Sequence, residues 1–282
     1  MRNYNTLLKE IMENGTDRKG RNGDTRGLFT KQLRFKMDKG FPATTTKKLA
    51  FRTVAAELLC FINGISDNKI FNRLGCHIWD ANAKAPYWKP KAKFEGDLGR
   101  IYGVQWREWH APDGQKIDQL KNAIEQLKKD PHGRRIIVSA WNPGELEQMA
   151  LPPCHALYQF YSANGKLSLH MFQRSCDMFL GVPFNISSYA LLLHIIAQIV
   201  GQTPDELILT LGDAHIYNDH FDAVKEQLAR EPFPLPKLWL NPEIKSLEDL
   251  VVEKFQEPDD VYKIVKLENY QCHPAIKAKM AV

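Results

Sequence analysis

Near the middle of the chain, Asn164-Gly165 separates two runs of alternating polar and apolar residues, Ala156 to Ser162 and Lys166 to Gln173. Asn-Gly between alternating segments is the strongest short hairpin signal in a sequence, because both loop positions of the tight turn need positive φ. A two-residue loop also sets the register, placing Cys154 opposite Ser175 and His155 opposite Arg174. A bulge would shift that register by one and leave Cys154 beside the Arg174-Ser175 pair.

Opposed residues stand roughly 4.5–5.5 Å apart at Cβ, so this register puts the Cys154 thiol next to a guanidinium and an imidazole. Such neighbours lower a thiol's pKa and create the nucleophilic thiolate. Pro152 and Pro153 stiffen the backbone just before it. The competing reading is an inert buried cysteine, which behaves as a small hydrophobe. Against it, His155, Arg174, Ser175, Asp177 and Asn185 crowd the open end of the hairpin, where a purely structural ribbon has little reason to collect polar groups.

The rest of the chain supplies the setting. Residues 4–13 carry helical spacing at Tyr4, Leu7, Leu8 and Ile11 and stop at Asn14-Gly15. A basic, glycine-rich loop follows over 16–27, of the kind that folds amides and an arginine around a phosphate, although taken in isolation its composition favours a solvated surface loop. Residues 28–37 read as a strand and 51–62 as an amphipathic helix with a single carboxylate, Glu57. On the helix's exposed face Glu57 is unremarkable; buried, its pKa rises and it becomes a proton carrier. Trp79-Asp80-Ala81-Asn82 leads into a proline- and lysine-rich insert over 83–94 that reads as a surface loop. Glycines flank Tyr102, which points to a close backbone approach or a tight turn.

A third helix spans 117–129, and Arg134-Arg135 precedes the apolar strand 136–141. Adjacent residues on a strand face opposite ways, so at most one of these arginines faces a given site directly, although both serve a neighbouring subunit if they reach past the edge of their own. Asn185 opens the long apolar helix 186–200, and helix capping alone explains an asparagine there. Residues 207–211 read as a strand, with His215 and Tyr217 projecting to one side just beyond it. Helix 219–230, strand-like segments 236–240 and 261–267, and a tail over 273–282 complete the chain; the tail is expected to fray.

The 282 residues are 44% hydrophobic with 16 dispersed prolines, which fits one globular domain. No uninterrupted apolar run approaches the ~18 residues of a membrane span, and MRNYNTLLKE lacks a signal-peptide core, so the expectation is a soluble, cytoplasmic protein. Five cysteines without CxxC or Cys/His spacing indicate neither a disulfide framework nor a metal site. The net charge of +5 comes from dispersed lysines, which suits anionic small molecules better than a nucleic-acid surface.

The segments LPPCHALYQF, QRSCDMFLGVPFN and LGDAHIYNDH resemble, in order and spacing, the signature blocks of thymidylate synthases, and the likeness runs from the first helix to the last residue. The resemblance implies an α+β fold with a large mixed β-sheet and packed helices, one catalytic domain over 1–282, and a homodimer formed through the sheet with shared active sites. It implies dUMP as substrate and 5,10-methylenetetrahydrofolate as co-substrate, with reductive methylation to dTMP and dihydrofolate and no metal.

By the same resemblance Cys154 adds to uracil C6. Glu57 and Tyr102 manage protons, Asn185 reads the base, and Arg174 activates the thiol and binds phosphate. Arg21, Ser175 and, across the dimer, Arg134 and Arg135 share the phosphate. His155 and Gln173 belong to the substrate site, and His215 and Tyr217 hold the 3′-hydroxyl. Trp79, Asn82, Asp177 and Ala281 meet the folate, with the tail closing over both ligands.

The chain departs from the family pattern in three places. The N-terminal loop is one residue short, leaving Arg18 or Arg26 as substitutes for Arg21; Cys60 stands where tryptophan is usual; and Arg100 stands where proline is usual. The nearest alternative is a dUMP hydroxymethylase, in which water replaces hydride. A non-catalytic nucleotide- or RNA-binding protein on the same fold is the alternative of another class, and it would be marked by loss of the cysteine that this chain retains.

Overall fold

The computed structural model describes residues 1–280. Helix α1, Arg2–Asn14, buries Tyr4, Leu7, Leu8 and Ile11, the four positions its periodicity selects. The basic stretch after it is a ribbon rather than a loop, with strand β1 (Thr16–Arg18) paired antiparallel to the start of β2 (Thr25–Lys36). Helix α2, Phe51–Ile62, is buried continuously from Val54 to Ile62, so Glu57 lies inside the protein. The short helix α3, Tyr102–Arg107, precedes α4, Gln119–Lys129, whose first turn is capped by Asp118 accepting from the Lys121 N–H. Strand β3 (Ile137–Ser139), the hairpin β4 (His155–Ala163) and β5 (Lys166–Asp177), helix α5 (Gly181–Ile199), strand β6 (Thr203–Tyr217) and helix α6 (Phe221–Leu228) follow.

One six-stranded sheet organises these elements in the order β1-β2-β6-β5-β4-β3. Only β5 and β6 run parallel, and their connection is α5, since a parallel pair needs a crossover too long for a tight turn. The expected α+β architecture with a large mixed sheet is therefore present. Alternation along the strands sends Leu33, Phe35, Tyr158, Phe160, Leu169, Met171, Leu207 and Leu209 into the core. There α5 packs on β5 and β6, and α2 packs on α5. By length and composition α5 would cross a membrane, yet 83% of its most apolar window is buried within this molecule, as in a core helix. The opposite sheet face carries Leu157, Gln159, Tyr161, His170 and Phe172, with Tyr161 68% exposed.

The hairpin turn forms as expected, with Asn164 and Gly165 both at positive φ (52° and 72°). The expected register holds from Ala163↔Lys166 to Leu157↔Phe172 and then slips at a bulge, leaving His155 opposite Gln173 rather than Arg174. The cause is visible at Ala156, whose carbonyl accepts from both Ala140 N–H (2.9 Å) and Trp141 N–H (3.2 Å). Cys154 consequently faces Arg174, whose N–H donates to the Cys154 carbonyl at 2.9 Å.

Other segments also differ from their sequence reading. Helix α5 starts four residues before Asn185, which removes the capping explanation for that residue. Asp177 serves the entry turn instead, its Oδ1 accepting from the Phe179 and Leu180 N–H groups at 3.0 and 3.1 Å. Arg134 and Arg135 precede β3 as read, but that strand covers only Ile137–Ser139 of the expected 136–141. Residues 207–217 belong to one long strand, and the last predicted strand pairs only from its end onward, as Val265–Glu268 with Lys237–Leu240. The insert is not all surface: Trp88 is buried, donating from Nε1 to the Asp97 carbonyl at 2.6 Å. The tail is tied down rather than frayed, through His273 N–H to Thr45 O (2.9 Å), Arg230 Nη1 to Pro274 O (2.7 Å) and His220 Nε2 to Lys279 O (2.7 Å).

Candidate active site

Of the five cysteines, Cys60, Cys76 and Cys176 are buried, while Cys154 and Cys272 are partly exposed. Cys154 sits at the mouth of β4, its N–H donating to Tyr102 Oη at 2.8 Å. Arg174 laces the Pro152-Pro153-Cys154 loop to β5 by donating from Nε to Pro153 O (2.8 Å) and from Nη2 to Pro152 O (3.0 Å). Its guanidinium also lies 5.3 Å from the Trp141 ring centroid. The hairpin register predicts a lowered thiol pKa, and the direction in the structure is opposite. Burial pushes the Cys154 thiol up, Arg174 and the Tyr102 hydrogen bond pull it down by less, and Asp177 adds to the rise. The neighbouring imidazole supplies no charge, because burial pushes His155 down to about 3.

Behind the thiol, buried polar groups form a chain. Asn185 Oδ1 accepts from Gln173 Nε2 at 2.9 Å, and Asn185 Nδ2 donates to His155 Nε2 at 2.7 Å. That bond leaves the His155 proton on Nδ1, which has no hydrogen-bond partner among the described residues; nor does Gln173 Oε1. Asn185 retains one N–H and one carbonyl lone pair beyond these bonds. Tyr102 continues the wall, its ring 4.8 Å from His155, 5.0 Å from Phe61 and 5.9 Å from Trp79. Trp79 Nε1 donates to Glu57 Oε1 at 2.9 Å. Burial raises Glu57 to about 7, with the Trp79 bond opposing.

The parallel pairing of β5 and β6 sets Ser175 beside Asp213 and Asp177 beside His215. A cavity of about 220 Å³ opens there, lined by Arg18, Arg21, Asp213, His215 and Tyr217 among others. His215 donates from Nδ1 to the Asp213 carbonyl at 3.1 Å, and Tyr217 packs edge-on against it at 5.3 Å.

The three N-terminal arginines are not equivalent. Arg26 is locked on Asp17 by bonds of 2.7 and 2.9 Å, and Arg18 is paired with Asp213 at 2.7 Å. Arg21 has no ion-pair partner among the described residues, and it also lines an adjoining cavity of about 450 Å³ with Ile78, Trp79, Asn82, Leu151 and Met280. The structure thus gathers Cys154, Glu57, Tyr102, Arg174, Asn185, His155, Gln173, Ser175, Asp177, His215, Tyr217, Arg21, Trp79 and Asn82 around one region. Arg134 and Arg135 are exposed beside edge strand β3, and Ala281 lies outside the described residues.

Sequence reasoning missed Lys47. It is 7% exposed, donates to the Phe179 carbonyl, lies 3.5 Å from the Phe179 ring centroid, and is pushed by burial to about 7, with Asp177 opposing. The available signal was a lysine pair directly after three threonines and before an apolar helix. Also missed was Glu145, buried with Arg100, for which spacing offered nothing. Cys60 is wholly buried in the core, and burial raises its thiol well above the ordinary value. Compared with known protein families, residues 2–282 match the sequence model of the family described as thymidylate synthase.

Proposed function

The chain belongs to the thymidylate synthase family, and from that premise we propose that it reductively methylates dUMP to dTMP, acting as one catalytic domain. The observation that most directly supports this reading is the placing of Cys154. It stands between the Tyr102 hydroxyl and Arg174, on the same wall as an asparagine amide with one donor and one acceptor to spare.

The chemistry explains why such a wall is needed. C5 of uracil is a poor nucleophile, and adding sulfur at C6 moves the ring's π pair onto C5 and O4, so that C5 can attack an electrophilic carbon. Cys154 is the group that forms the S–C6 bond, its proton passing to water beside Glu57. A carboxyl with a pKa of about 7 both gives and takes protons near neutrality. Tyr102 accepts from the Cys154 N–H and keeps its own proton to donate toward the base. When C5 has lost its proton and the new group is in place, the S–C6 bond breaks and Cys154 is regenerated.

Asn185 matches uracil O4 with its remaining N–H and N3–H with its remaining lone pair; an ionised aspartate accepts only and would favour cytosine. Gln173 and His155 hold that amide in orientation. Arg174, Arg21 and Ser175 bind the phosphate, and His215 and Tyr217 take the 3′-hydroxyl. Several arginines on one dianion fix the ring for attack.

The larger cavity fits a folate. Ile78, Trp79 and Leu151 offer apolar surface to a pterin and its ring linker, Asn82 and Arg21 offer polar contacts, and Met280 of the tail closes one side. Bound there, 5,10-methylenetetrahydrofolate supplies the one-carbon unit and the hydride. Asp177 meets the pterin through the oxygen not committed to the turn before α5.

The second copy docks on the open sheet face, where Tyr161 and Ile137 are 68% and 47% exposed, beside Leu157 and Phe172. Arg134 and Arg135, at the sheet's edge, then reach the other copy's phosphate.

The test is product analysis by mass after incubation with dUMP and the methylene folate, beside Cys154→Ala. Equimolar dTMP and dihydrofolate, with turnover lost and dUMP binding retained in the variant, is the expected result. 5-Hydroxymethyl-dUMP without dihydrofolate would replace this reading by a dUMP hydroxymethylase, and turnover surviving in Cys154→Ala would end the covalent mechanism.

A further inference from the structure

Arg100 and Glu145 lie outside the wall just described, and both are only 8% exposed. Arg100 Nε donates to Glu145 Oε2 at 2.5 Å, and Gln105 Nε2 and Asn142 Nδ2 donate to the same oxygen at 2.7 and 3.2 Å. The other oxygen, Oε1, lies 3.0 Å from His110 Nδ1. Arg100 also donates from Nη2 to the Glu108 carbonyl, beyond the far end of α3.

The backbone around the pair is equally constrained. Residues 98–100 run against 148–150, with Arg100 N–H donating to Gln148 O (2.9 Å) and Ala150 N–H donating to Leu98 O (3.0 Å). Gly99 pairs with Met149 across this seam, and a Cβ on Gly99 would lie 2.1 Å from the Gln148 carbonyl oxygen.

Beyond the seam the two chains meet once more. Tyr102 is two residues past Arg100, Cys154 four past Ala150, and Tyr102 Oη accepts the Cys154 N–H at 2.8 Å. Seam and tyrosine bond therefore close a small ring of chain, with the buried ion pair at one end and the nucleophile at the other. Replacing a buried ion pair with apolar side chains often leaves a protein as stable or more so, so stability alone gives little reason for this one. We propose that Arg100 and Glu145 are a positioning pair, which clamps the seam and so sets where the Tyr102 hydroxyl stands relative to Cys154.

This inference rests on the reading under Proposed function, and the two fail separately. Turnover by the unaltered protein tests the reaction, and the ratio of variant to unaltered protein tests the pair. The variants are Arg100→Met and Arg100→Lys; lysine keeps a cation beside Glu145 but cannot span both Glu145 and the Glu108 carbonyl. Apart from Tyr102, the groups proposed to bind dUMP lie on other elements, so its dissociation constant, measured by calorimetry without folate, should stay within about twofold. Displacement of the reacting groups by ~1 Å costs on the order of 10²-fold, so kcat should fall by between about tenfold and that limit in both variants, with lysine the milder. Thermal midpoints are recorded alongside.

If Arg100→Met does not fold, Arg100→Lys carries the same comparison. Full kcat in the lysine variant, or loss of dUMP binding in step with kcat and thermal stability, would overturn the proposal.

Discussion

At the scale of single residues, burial is the largest influence on the protonation of Cys154, Glu57 and His155. The Cys154 thiol faces a guanidinium and is still pushed up, because burial outweighs that charge. Glu57, raised to about 7, is the group to read by pH. Its folded-state pKa lies above the roughly 4.3 of an unfolded glutamate, so its contribution to stability is complete below that value and is lost as pH rises through 7. Glu57→Gln cannot ionise and should flatten this dependence. Between pH 5 and 8 the unaltered protein should lose on the order of 2–3 kcal/mol of stability relative to the variant, read by urea unfolding at each pH. A parallel shift at all pH values would contradict a titrating Glu57. His155, pushed down to about 3, has the opposite sign: its contribution is present above its unfolded pKa and disappears as pH falls toward 3.

At the scale of elements, two glycines separate turn geometry from packing. Gly165 has φ 72° and nothing within 4 Å of the position of an added Cβ. Gly165→Ala should therefore cost only the left-handed penalty, roughly 1–2 kcal/mol, seen as a lower urea midpoint with kcat unchanged. Gly103 lies where α3 crosses α2, and a Cβ there would stand 2.4 Å from the Phe61 carbonyl oxygen and 2.6 Å from its Cα. Gly103→Ala must push the two helices apart and carry Tyr102 with them, so it should lose both stability and turnover. Equal effects of the two substitutions on kcat would show that the α2–α3 approach does not govern the site.

At the scale of the whole molecule, the sheet has one face packed by helices and one left open, and the open face is where the second copy is proposed to dock. Tyr161→Glu combined with Ile137→Glu places two carboxylates on that face and should shift the sedimentation coefficient to that of a monomer, with turnover lost. Arg134→Ala with Arg135→Ala should leave the oligomer intact and raise the KM for dUMP by on the order of tenfold per arginine, since hydrogen bonds between charged groups are worth about 1.5–3 kcal/mol. A monomeric unaltered protein, or no change in KM, would refute the shared site.

The sequence by itself determined what depends on near neighbours. Asn164-Gly165 needed only its own two backbones to turn, and α1 and α2 followed the apolar spacing of a dozen residues each. Cys154 stood out through the register of its hairpin and His215 and Tyr217 through their alternation with apolar residues, whereas Asn185, which capping alone explains, took its role only from the family resemblance. Tertiary structure alone decided the rest. The bulge sits where the Ala156 carbonyl accepts from residues 140 and 141 of another strand segment. The rise of the Cys154 thiol, the burial of Lys47 and the Arg100–Glu145 clamp each join segments distant in sequence. Desolvation sums over everything that surrounds a group, and no local pattern of residues carries that sum.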